Sequence, residues 1–338
     1  MPNNRYAFFN GEIVPIEEAK VSVMTNALNY GTGCFEGIRG YWNADEEQLL
    51  VFQLKAHMER LHRSAKILFM QLPYSPDQLC QITIDLLRKE GFREDVYIRP
   101  LVYKSDPAIA VQLNGMNDAF TLFAVGFGQY IASPSVRACV SSWRRIEDNI
   151  IPSRAKVSGA YINSALAKTE ALLNGYDEAI VLGADGQVSE ASAANLFIVR
   201  DGKLITPPLT SDILEGITRQ VVAQLARERL DLNVVERPID RTELYIADEA
   251  FFCGTGAEIK PIVEIDHRQV GGGVVGPIGG QLVKLYADMV RGKVAEYRPW
   301  CTPIYGSSRG DALQDSAKKN ARRRPKAALA FVLRLASC

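Results

Sequence analysis

The sequence predicts a protein of mixed α and β structure, in which a small α/β domain precedes a larger, barrel-like domain. Three observations support this prediction. The chain has 338 residues, about twice the length of an ordinary domain. Short strand patterns alternate with amphipathic helix patterns along most of the chain. A glycine- and serine-rich stretch at 126–135 interrupts these patterns, so we place a boundary near residue 132 and predict domains at 1–132 and 133–305.

The first domain is predicted to open with a β-hairpin. Asn10-Gly11 lies between two apolar runs, and this dipeptide between such runs is a strong hairpin signal. Ser75 followed by Pro76 predicts the start of a helix that Gly91 ends. The other elements predicted for this domain are strands at 35–41, 49–54, 96–103 and 119–127, and a helix at 54–70.

The second domain is predicted to contain a strongly curved or barrel-like sheet with helices outside it. Many short strand patterns separated by turns such as Asp185-Gly186 and Asp201-Gly202 favour this architecture. The predicted strands lie at 136–142, 178–182, 195–199, 203–205, 234–236 and 250–253, and the predicted helices at about 159–174, 216–230 and 280–297.

The net charge of zero conceals a basic C-terminal segment. Residues 306–338 carry eight Lys and Arg against two Asp, which leaves 31 basic and 37 acidic residues in 1–305. A mildly acidic body without a clustered basic face argues against a nucleic-acid partner. We interpret 306–338 as a disordered basic tail, such as translated vector or frameshifted sequence, that takes no part in the function.

Other partners are excluded by composition. No segment approaches the roughly 18 apolar residues of a membrane span, and the N-terminus has no apolar signal region. The six cysteines form no CxxC pair, and the three histidines have no cysteine neighbours, so no metal site is predicted. We therefore expect a cytoplasmic protein with reduced thiols and no membrane or metal partner.

Lys156 is the first candidate for chemistry. It lies in a stretch of small residues just before a predicted helix, where a lysine is by default a solvated surface residue. A lysine becomes a catalytic amine when its surroundings lower its pKa and it binds a carbonyl compound covalently, as in enzymes that use pyridoxal phosphate. Such a cofactor makes further demands on the rest of the chain.

The sequence offers candidates for each of these demands. A carboxylate must hold the pyridine nitrogen protonated, and Glu190 lies between two apolar strand patterns where a surface carboxylate is unexpected. The phosphate needs backbone donors at a helix N-terminus and a cation. The segments 214–219 and 252–257 are rich in glycine and threonine, and Arg60 on the predicted helix at 54–70 is the candidate cation.

With these residues in place, the chain resembles the class IV aminotransferases from Tyr6 to about Tyr305, and most of all the branched-chain-amino-acid aminotransferases. The likeness is carried in order by YGTGCFEGIR at 30–39, HMERL at 57–61, YIRPL at 97–101, Lys156 with Tyr161, 189–190 with 195–197, TPP at 206–208, GITR at 216–219 and CGTGAEI at 253–259. It implies the two-domain α/β fold of class IV pyridoxal-phosphate enzymes, fold type IV. It also implies reversible transamination of leucine, isoleucine or valine with 2-oxoglutarate.

The resemblance implies a role for each cofactor-binding position. Lys156 would bind pyridoxal phosphate covalently and later move the α-proton, Glu190 would pair with the pyridine nitrogen, and Tyr161 would hydrogen-bond the phenolate oxygen. Leu214 would pack on the ring. The phosphate would be held by Arg60, Gly216, Ile217, Thr218 and Thr255.

The same resemblance implies the substrate site. Tyr97, Thr255 and Gly256 would bind the α-carboxylate, and Arg99 would receive the side-chain carboxylate of glutamate. Residues two apart on a strand face the same way, so one strand can present both Tyr97 and Arg99. The apolar side-chain pocket would be lined by Tyr30, Phe35, Gly37, Phe127 and Tyr130. Proteins of this family form homodimers, so we expect at least a homodimer.

Two kinds of alternative remain open at this point. A D-amino-acid or (R)-amine aminotransferase, or aminodeoxychorismate lyase, shares Lys156, Glu190 and the phosphate site, and the intact Tyr97-x-Arg99 favours the branched-chain function over these. A protein that binds pyridoxal phosphate without turnover would be favoured by the loss of Lys156 or Glu190, and both are present.

Overall fold

The computed structural model describes residues 5–128 and 133–306, in which two β-sheets are surrounded by helices. The strands are β1 (Tyr6–Phe9), β2 (Glu12–Pro15), β3 (Gly33–Phe35), β4 (Ile38–Asn43), β5 (Gln48–Phe52), β6 (Val96–Lys104), β7 (Asp118–Gly126), β8 (Val136–Arg144), β9 (Glu178–Leu182), β10 (Val188–Ala191), β11 (Asn195–Arg200), β12 (Lys203–Thr206), β13 (Val234–Glu236), β14 (Glu249–Gly254), β15 (Glu258–Ile265), β16 (Arg268–Gln269) and β17 (Cys301–Pro303). The helices are α1 (Asn26–Tyr30), α2 (Leu54–Ile67), α3 (Pro76–Glu90), α4 (Tyr161–Leu173), α5 (Ile217–Leu230) and α6 (Pro277–Val290), with short 3₁₀ turns at Ile16–Glu18, Arg241–Ile246 and Ala295–Trp300.

Sheet A is formed mainly by the first part of the chain. Its strands are ordered β17-β5-β4-β6-β7-β1-β2, and β3 pairs with β6 beside this path. The predicted hairpin is confirmed: β1 and β2 pair antiparallel, with Asn10 and Gly11 both at positive φ in the turn. Apolar side chains of α2 and α3 pack against the sheet in one core that includes Met58, Leu61 and Leu86.

Helix α3 begins and ends as its sequence predicts. The Ser75 side chain accepts from the Gln78 N–H, and the Gln78 side chain accepts from the Ser75 N–H, which satisfies two donors at the helix start. Gly91 ends the helix at φ +72°, a left-handed conformation that costs glycine least.

Sheet B curls back on itself. Its strands are ordered β10-β9-β8-β15-β14-β11-β12-β13, with β16 beside β15. The chain just after β13 meets the start of β10: Gln187 and Asp240 form an isolated bridge, and the Val188 N–H donates to the Ile239 carbonyl. This brings the two ends of the sheet together. The prediction of an α/β fold with a barrel-like second sheet is therefore confirmed.

The segment that contains Lys156 lies between β8 of sheet B and α4, and it is hydrogen-bonded to β3 of sheet A. The Phe35 N–H donates to the Lys156 carbonyl at 3.1 Å, and the Ser158 N–H donates to the Gly33 carbonyl at 2.8 Å. The predicted boundary near residue 132 lies between the end of β7 and the start of β8. Strand β17, from the far end of the described chain, pairs with β5 of sheet A.

Some elements differ from the sequence prediction. Strands β10 and β15 were not predicted, and β15 carries Pro261, Lys260 and two glutamates, a composition that disfavours a central strand. The helix predicted at 280–297 begins earlier, at Pro277, and Gly292 at φ +73° follows its end. Of the predicted tail at 306–338, residues 307–338 lie outside the described residues.

Among the residues that the structure describes, no helix combines the length and apolar character that crossing a bilayer requires.

Candidate active site

A cavity of about 530 Å³ is lined by residues from both sheets. Of the predicted site residues that the structure describes, all but Tyr30 line it: Phe35, Gly37, Arg60, Tyr97, Arg99, Phe127, Lys156, Tyr161, Glu190, Leu214, Gly216, Ile217, Thr218, Thr255 and Gly256. Tyr30 is 38% exposed and is not among the lining residues, so its place in the substrate pocket stays a prediction. Tyr130 lies outside the described residues.

Hydrogen bonds made by its backbone hold Lys156 at the cavity. Its N–H donates to the Ser64 Oγ of α2 at 3.1 Å, while its carbonyl accepts the Phe35 N–H from β3. The Nζ atom lies 5.3 Å from the centre of the Phe35 ring and 5.5 Å from that of Tyr161. Two elements far apart in the sequence thus fix a half-buried amine between two aromatic rings, where it can reach a bound ligand.

Glu190 is a buried carboxylate with every oxygen occupied. Its Oε2 accepts from the Asn195 Nδ2 at 3.0 Å and from the Leu214 N–H at 3.1 Å, and its Oε1 pairs with the Arg145 Nη2 at 2.9 Å. Burial raises the pKa of Glu190, and the charge of Arg145 opposes part of that rise. The carboxylate is therefore fixed in direction and faces the cavity beside a counter-charge.

The sequence did not reveal the two side chains that hold Glu190. Asn195 starts β11, directly after the turn that follows β10, so its proximity to Glu190 depends on a turn that leaves a strand the sequence did not predict. Arg145 follows β8 and reaches Glu190 only because β8 and β10 flank the same strand, β9, in sheet B. Nothing in the local pattern around Arg145 indicates this contact.

An anion-binding arrangement lies where α5 begins. Gly216 is the N-cap, and no side chain caps the helix, which leaves the N–H groups of its first turn for a ligand. The Arg60 Nη1 donates to the Glu215 carbonyl at 2.8 Å, so its guanidinium lies beside the same helix end. We call Arg60, Gly216, Ile217 and Thr218 the anion cradle.

Glycine is required at position 216 by a close approach. A Cβ atom there would lie 1.9 Å from the Asn195 Oδ1, the side chain that also holds Glu190. The start of α5 is further anchored by Arg219, whose Nη2 donates to the Pro207 carbonyl at 2.9 Å. Backbone donors and the carboxylate at position 190 are thereby fixed relative to each other.

These groups fit pyridoxal phosphate by their chemistry. The cradle offers backbone donors and a guanidinium to a phosphate, Lys156 offers an amine to an aldehyde, and Glu190 offers an anion to a protonated ring nitrogen. The described lining residues include four cations (Arg60, Arg99, Arg145 and Lys156) and two carboxylates (Glu178 and Glu190). Such an excess of positive charge in an otherwise mildly acidic body suits ligands that carry phosphate and carboxylate groups.

An aromatic pocket with an arginine lies in the same cavity. Tyr97 and Arg99 face one side of β6, as their spacing predicts, and the Arg99 Nη2 donates to the Tyr97 Oη at 3.0 Å. The Arg99 guanidinium lies 4.2 Å from the centre of the Phe35 ring, and the rings of Tyr97 and Phe127 are 5.1 Å apart. A Cβ at Gly37 would lie 2.1 Å from the Tyr97 Oη, so glycine is needed there for Tyr97 to keep its position.

Arg39 supports two walls of this pocket. It ends the segment 30–39 that carries the family resemblance, but the sequence predicted no role for it. Its Nη2 donates to the carbonyls of Phe127 and Gly128, both at 3.2 Å, and its Nη1 lies 3.2 Å from the Glu258 Oε1. Glu258 directly follows the turn at 255–257, which lines the cavity. One buried guanidinium thus ties the Phe127 wall to the turn that contains Thr255 and Gly256.

Comparison with known proteins agrees with this geometry. A sequence model of the amino-transferase class IV family matches residues 33–265. A protein of Aquifex aeolicus (strain VF5) named "probable branched-chain-amino-acid aminotransferase" is 54% identical over 301 residues, which cover 89% of this chain and 97% of that protein.

Solved structures extend the likeness to the fold. A branched-chain aminotransferase of Thermoproteus uzoniensis, solved with norvaline, has a TM-score of 0.86 at 48% identity and covers 89% of this chain and 100% of its own. The T.th. branched-chain amino acid aminotransferase, complexed with N-(5'-phosphopyridoxyl)-L-glutamate, has a TM-score of 0.85 at 40% identity and covers 89% of this chain and 99% of its own. From the cavity, the family match and these relatives together, the chain belongs to the class IV aminotransferases.

Proposed function

We propose that the protein catalyses the reversible transamination of branched-chain L-amino acids with 2-oxoglutarate, using pyridoxal phosphate. The observation that carries the proposal is a single cavity in which the Lys156 amine, the buried Glu190 carboxylate and the anion cradle lie with an aromatic pocket that contains Arg99. Leucine, isoleucine and valine need an apolar pocket, whereas glutamate needs a cation beyond it. Tyr97, Phe127 and Phe35 form the apolar pocket, and Arg99 is the cation.

Each cofactor group has a residue to hold it in this proposal. Bound pyridoxal phosphate supplies an electron sink for the bond that breaks at the substrate α-carbon. The cradle and Thr255 hold the phosphate, and Leu214 packs on the ring.

The residues around the reacting atoms each have a separate role in this proposal. Lys156 binds the cofactor covalently through Nζ and, once released, moves the α-proton at that atom. Glu190, held by Arg145 and Asn195, faces the ring nitrogen and pairs with it. Tyr161 donates to the phenolic oxygen. The aromatic walls exclude water from the Nζ atom while it carries the proton.

The substrate residues explain how one site accepts two kinds of side chain. Tyr97, Thr255 and Gly256 bind the α-carboxylate in both half-reactions, and the side chain of either substrate extends into the same aromatic pocket. The relatives support this arrangement, because one was solved with norvaline and another with a phosphopyridoxyl-glutamate compound. An apolar and an acidic side chain are thus both represented among close structural neighbours.

The proposal is tested by a substrate panel. Purified full-length protein is assayed with leucine, isoleucine, valine, D-alanine and (R)-phenylethylamine against 2-oxoglutarate and pyruvate. We expect the highest kcat/KM with the three branched-chain amino acids and 2-oxoglutarate. A preference for D-alanine or (R)-phenylethylamine would assign the protein to another activity of the same fold.

Replacement of Arg99 by methionine should separate the two half-reactions. Methionine keeps an apolar side chain in the pocket but cannot pair with the γ-carboxylate, and loss of such a charged, bidentate contact lowers affinity by about 10²-fold. The expected result is a fall in kcat/KM for glutamate of about 10²-fold, with leucine changed by less than about threefold. Arg93→Met, at an exposed arginine, is the control. Equal losses for both substrates would place Arg99 at the α-carboxylate.

We also propose that the protein assembles as a homodimer through an exposed apolar patch. The patch consists of Val21, Val23, Met24, Leu28 and Tyr30, together with Ile109 and Val111. Asn26 joins its two parts, since its Nδ2 donates to the carbonyls of Ala108 and Ala110. Exposed apolar side chains concentrated in this way are typical of an interface, and a second copy of the chain supplies a matching surface.

Aspartate at Val23 and Val111 should yield a monomer. These side chains are 81% and 80% exposed, so the substitutions leave the fold intact, whereas burying two carboxylates per subunit in an interface is costly. Sedimentation velocity should show a shift from dimer to monomer. Val274→Asp, at a 70% exposed valine outside the patch, should leave the dimer unchanged. An unaltered sedimentation coefficient in the double variant would exclude this patch.

The cellular location is part of the proposal as well. The five described cysteines, Cys34, Cys80, Cys139, Cys253 and Cys301, all carry free thiols, which suits a reducing compartment, and we propose the cytoplasm.

A further inference from the structure

A buried cluster of ionisable side chains consists of Arg60 of the anion cradle and the two residues that contact each other behind it, Glu36 and His57. Glu36, His57 and Arg60 are 0%, 2% and 4% exposed. Glu36 sits between Phe35 and Gly37, which both line the cavity, whereas Glu36 itself does not. Its N–H donates to the Pro100 carbonyl of β6, so its backbone is fixed to the strand that carries Arg99. The side chain points away from the cavity towards α2.

Glu36 holds the Arg60 guanidinium along one edge. The Arg60 Nε donates to the Glu36 Oε1 at 2.7 Å, and the Arg60 Nη2 donates to Oε2 at 2.8 Å. The His57 Nδ1 lies 2.8 Å from the same Oε2. Burial raises the pKa of Glu36, but the charge and hydrogen bonds of Arg60 outweigh that effect and hold the pKa well below its usual range. Glu36 is therefore a fixed anion at neutral pH.

The hydrogen bonds of Arg60 define what it can offer to a ligand. A guanidinium has five N–H donors. Two are taken by Glu36 and a third by the Glu215 carbonyl. Two N–H groups remain, one on each Nη atom, on a side chain that lines the cavity beside the first turn of α5. These three hydrogen bonds fix the plane of the guanidinium, so the two remaining N–H groups point in fixed directions.

We propose that Glu36, supported by His57, is a positioning residue that aims Arg60 at the phosphate of the cofactor. The proposal rests on the proposed function, since it presumes that the cradle binds the phosphate of pyridoxal phosphate. A guanidinium without its partner would lose entropy on binding and would present its donors in several directions. Glu36 removes that cost before the ligand arrives. It acts on the phosphate and leaves the ring and the substrate to other residues.

Glutamine at position 36 tests this idea because it keeps the shape and removes the acceptor. In either orientation of the amide, its NH₂ group faces an N–H of Arg60, so one of the two bonds is lost. Glu59→Gln is the matched control, since Glu59 is the exposed residue just before Arg60 on α2. The same chemical change there leaves the guanidinium untouched.

The experiment compares two ligands that differ only in the phosphate. Full-length protein, freed of cofactor by dialysis against cysteine, is titrated with pyridoxal phosphate and with pyridoxal, and both Kd values are read from tryptophan fluorescence. We expect Glu36→Gln to weaken binding of pyridoxal phosphate by about 10- to 100-fold and that of pyridoxal by less than about threefold. Equal weakening of both ligands, or of neither, would overturn the proposal. Failure of the unmodified protein to bind pyridoxal phosphate would instead refute the proposed function.

A double-mutant cycle with Arg60→Met separates positioning from general support of the fold. If Glu36 acts through Arg60, adding Glu36→Gln to Arg60→Met should change the ratio of the two Kd values by less than about twofold. Independent, multiplying effects would overturn the proposal. Should Glu36→Gln fail to fold, His57→Phe removes one partner of Oε2 and should lower the preference for pyridoxal phosphate by about 3- to 10-fold. An unchanged preference in that variant would also count against the proposal.

Discussion

Replacement of Lys156 by alanine should abolish transamination, with a loss of about 10⁴-fold or more in kcat. The variant loses the amine that binds the cofactor and moves the α-proton. Hydrogen bonds from the Lys156 backbone to Ser64 and Phe35 hold this residue at the cavity, and no other lysine among the described residues makes them. The anion cradle is unaffected, so noncovalent binding of pyridoxal phosphate should persist with reduced affinity.

Two measurements check this result. Steady-state assays with leucine and 2-oxoglutarate give kcat, and mass spectrometry after borohydride reduction reports whether the cofactor is attached to the chain. The unmodified protein should gain the mass of the reduced cofactor at Lys156, whereas Lys156→Ala should not. Lys203→Ala, at an exposed lysine on β12, should behave like the unmodified protein. Activity of Lys156→Ala within about tenfold of normal would show that another group does this work.

Replacement of Glu190 by glutamine should lower kcat by about 10²-fold or more and weaken cofactor binding much less. The buried carboxylate supplies the negative charge that favours a protonated ring nitrogen, and an amide is neutral. It would also place an NH₂ group against Arg145, or against Asn195 and the Leu214 N–H, where the carboxylate now only accepts. The phosphate contacts remain, so most of the binding free energy is kept.

The control for Glu190→Gln is a second buried carboxylate of the same cavity. Glu178 lines the cavity and accepts hydrogen bonds from Ser192 and Lys168, without any role in the proposed chemistry. Glu178→Gln should lower kcat by less than about tenfold. The kcat and the Kd for pyridoxal phosphate are measured for both variants. Equal losses of kcat in the two variants would mean that Glu190 acts by general electrostatics in the cavity and makes no particular contact with the ring.

Much of this architecture could be predicted because its signals are local. The hairpin at Asn10-Gly11 and the capping box of Ser75 and Gln78 depend on residues within a few positions of each other. The common orientation of Tyr97 and Arg99 follows from the two-residue period of a strand. In each case the backbone geometry is set by the residues that carry the signal.

The support of the site could not be predicted, because it depends on tertiary contacts. Arg145 holds Glu190 across sheet B, and Ser64 of α2 anchors Lys156 from 92 residues away in the sequence. Strand β15 is central in sheet B although Pro261 and its charged residues disfavour a strand, since tertiary pairing overrides local propensity. The residues that would contact cofactor and substrate were predicted through a family resemblance. Ser64 and Arg145, which lie behind them, are in none of the segments that carry that resemblance.

Strand β17 has a consequence for how the chain folds during synthesis. Gln48 accepts from the N–H groups of Ile304 and Tyr305 and donates to the Tyr305 carbonyl, 257 residues away along the chain. Until the ribosome has released those residues, at roughly 5–20 residues per second, the edge of β5 has no partner on that side. The first sheet to be translated is therefore among the last to be completed. During that interval the nascent chain exposes an unpaired β-edge, which can pair with other chains.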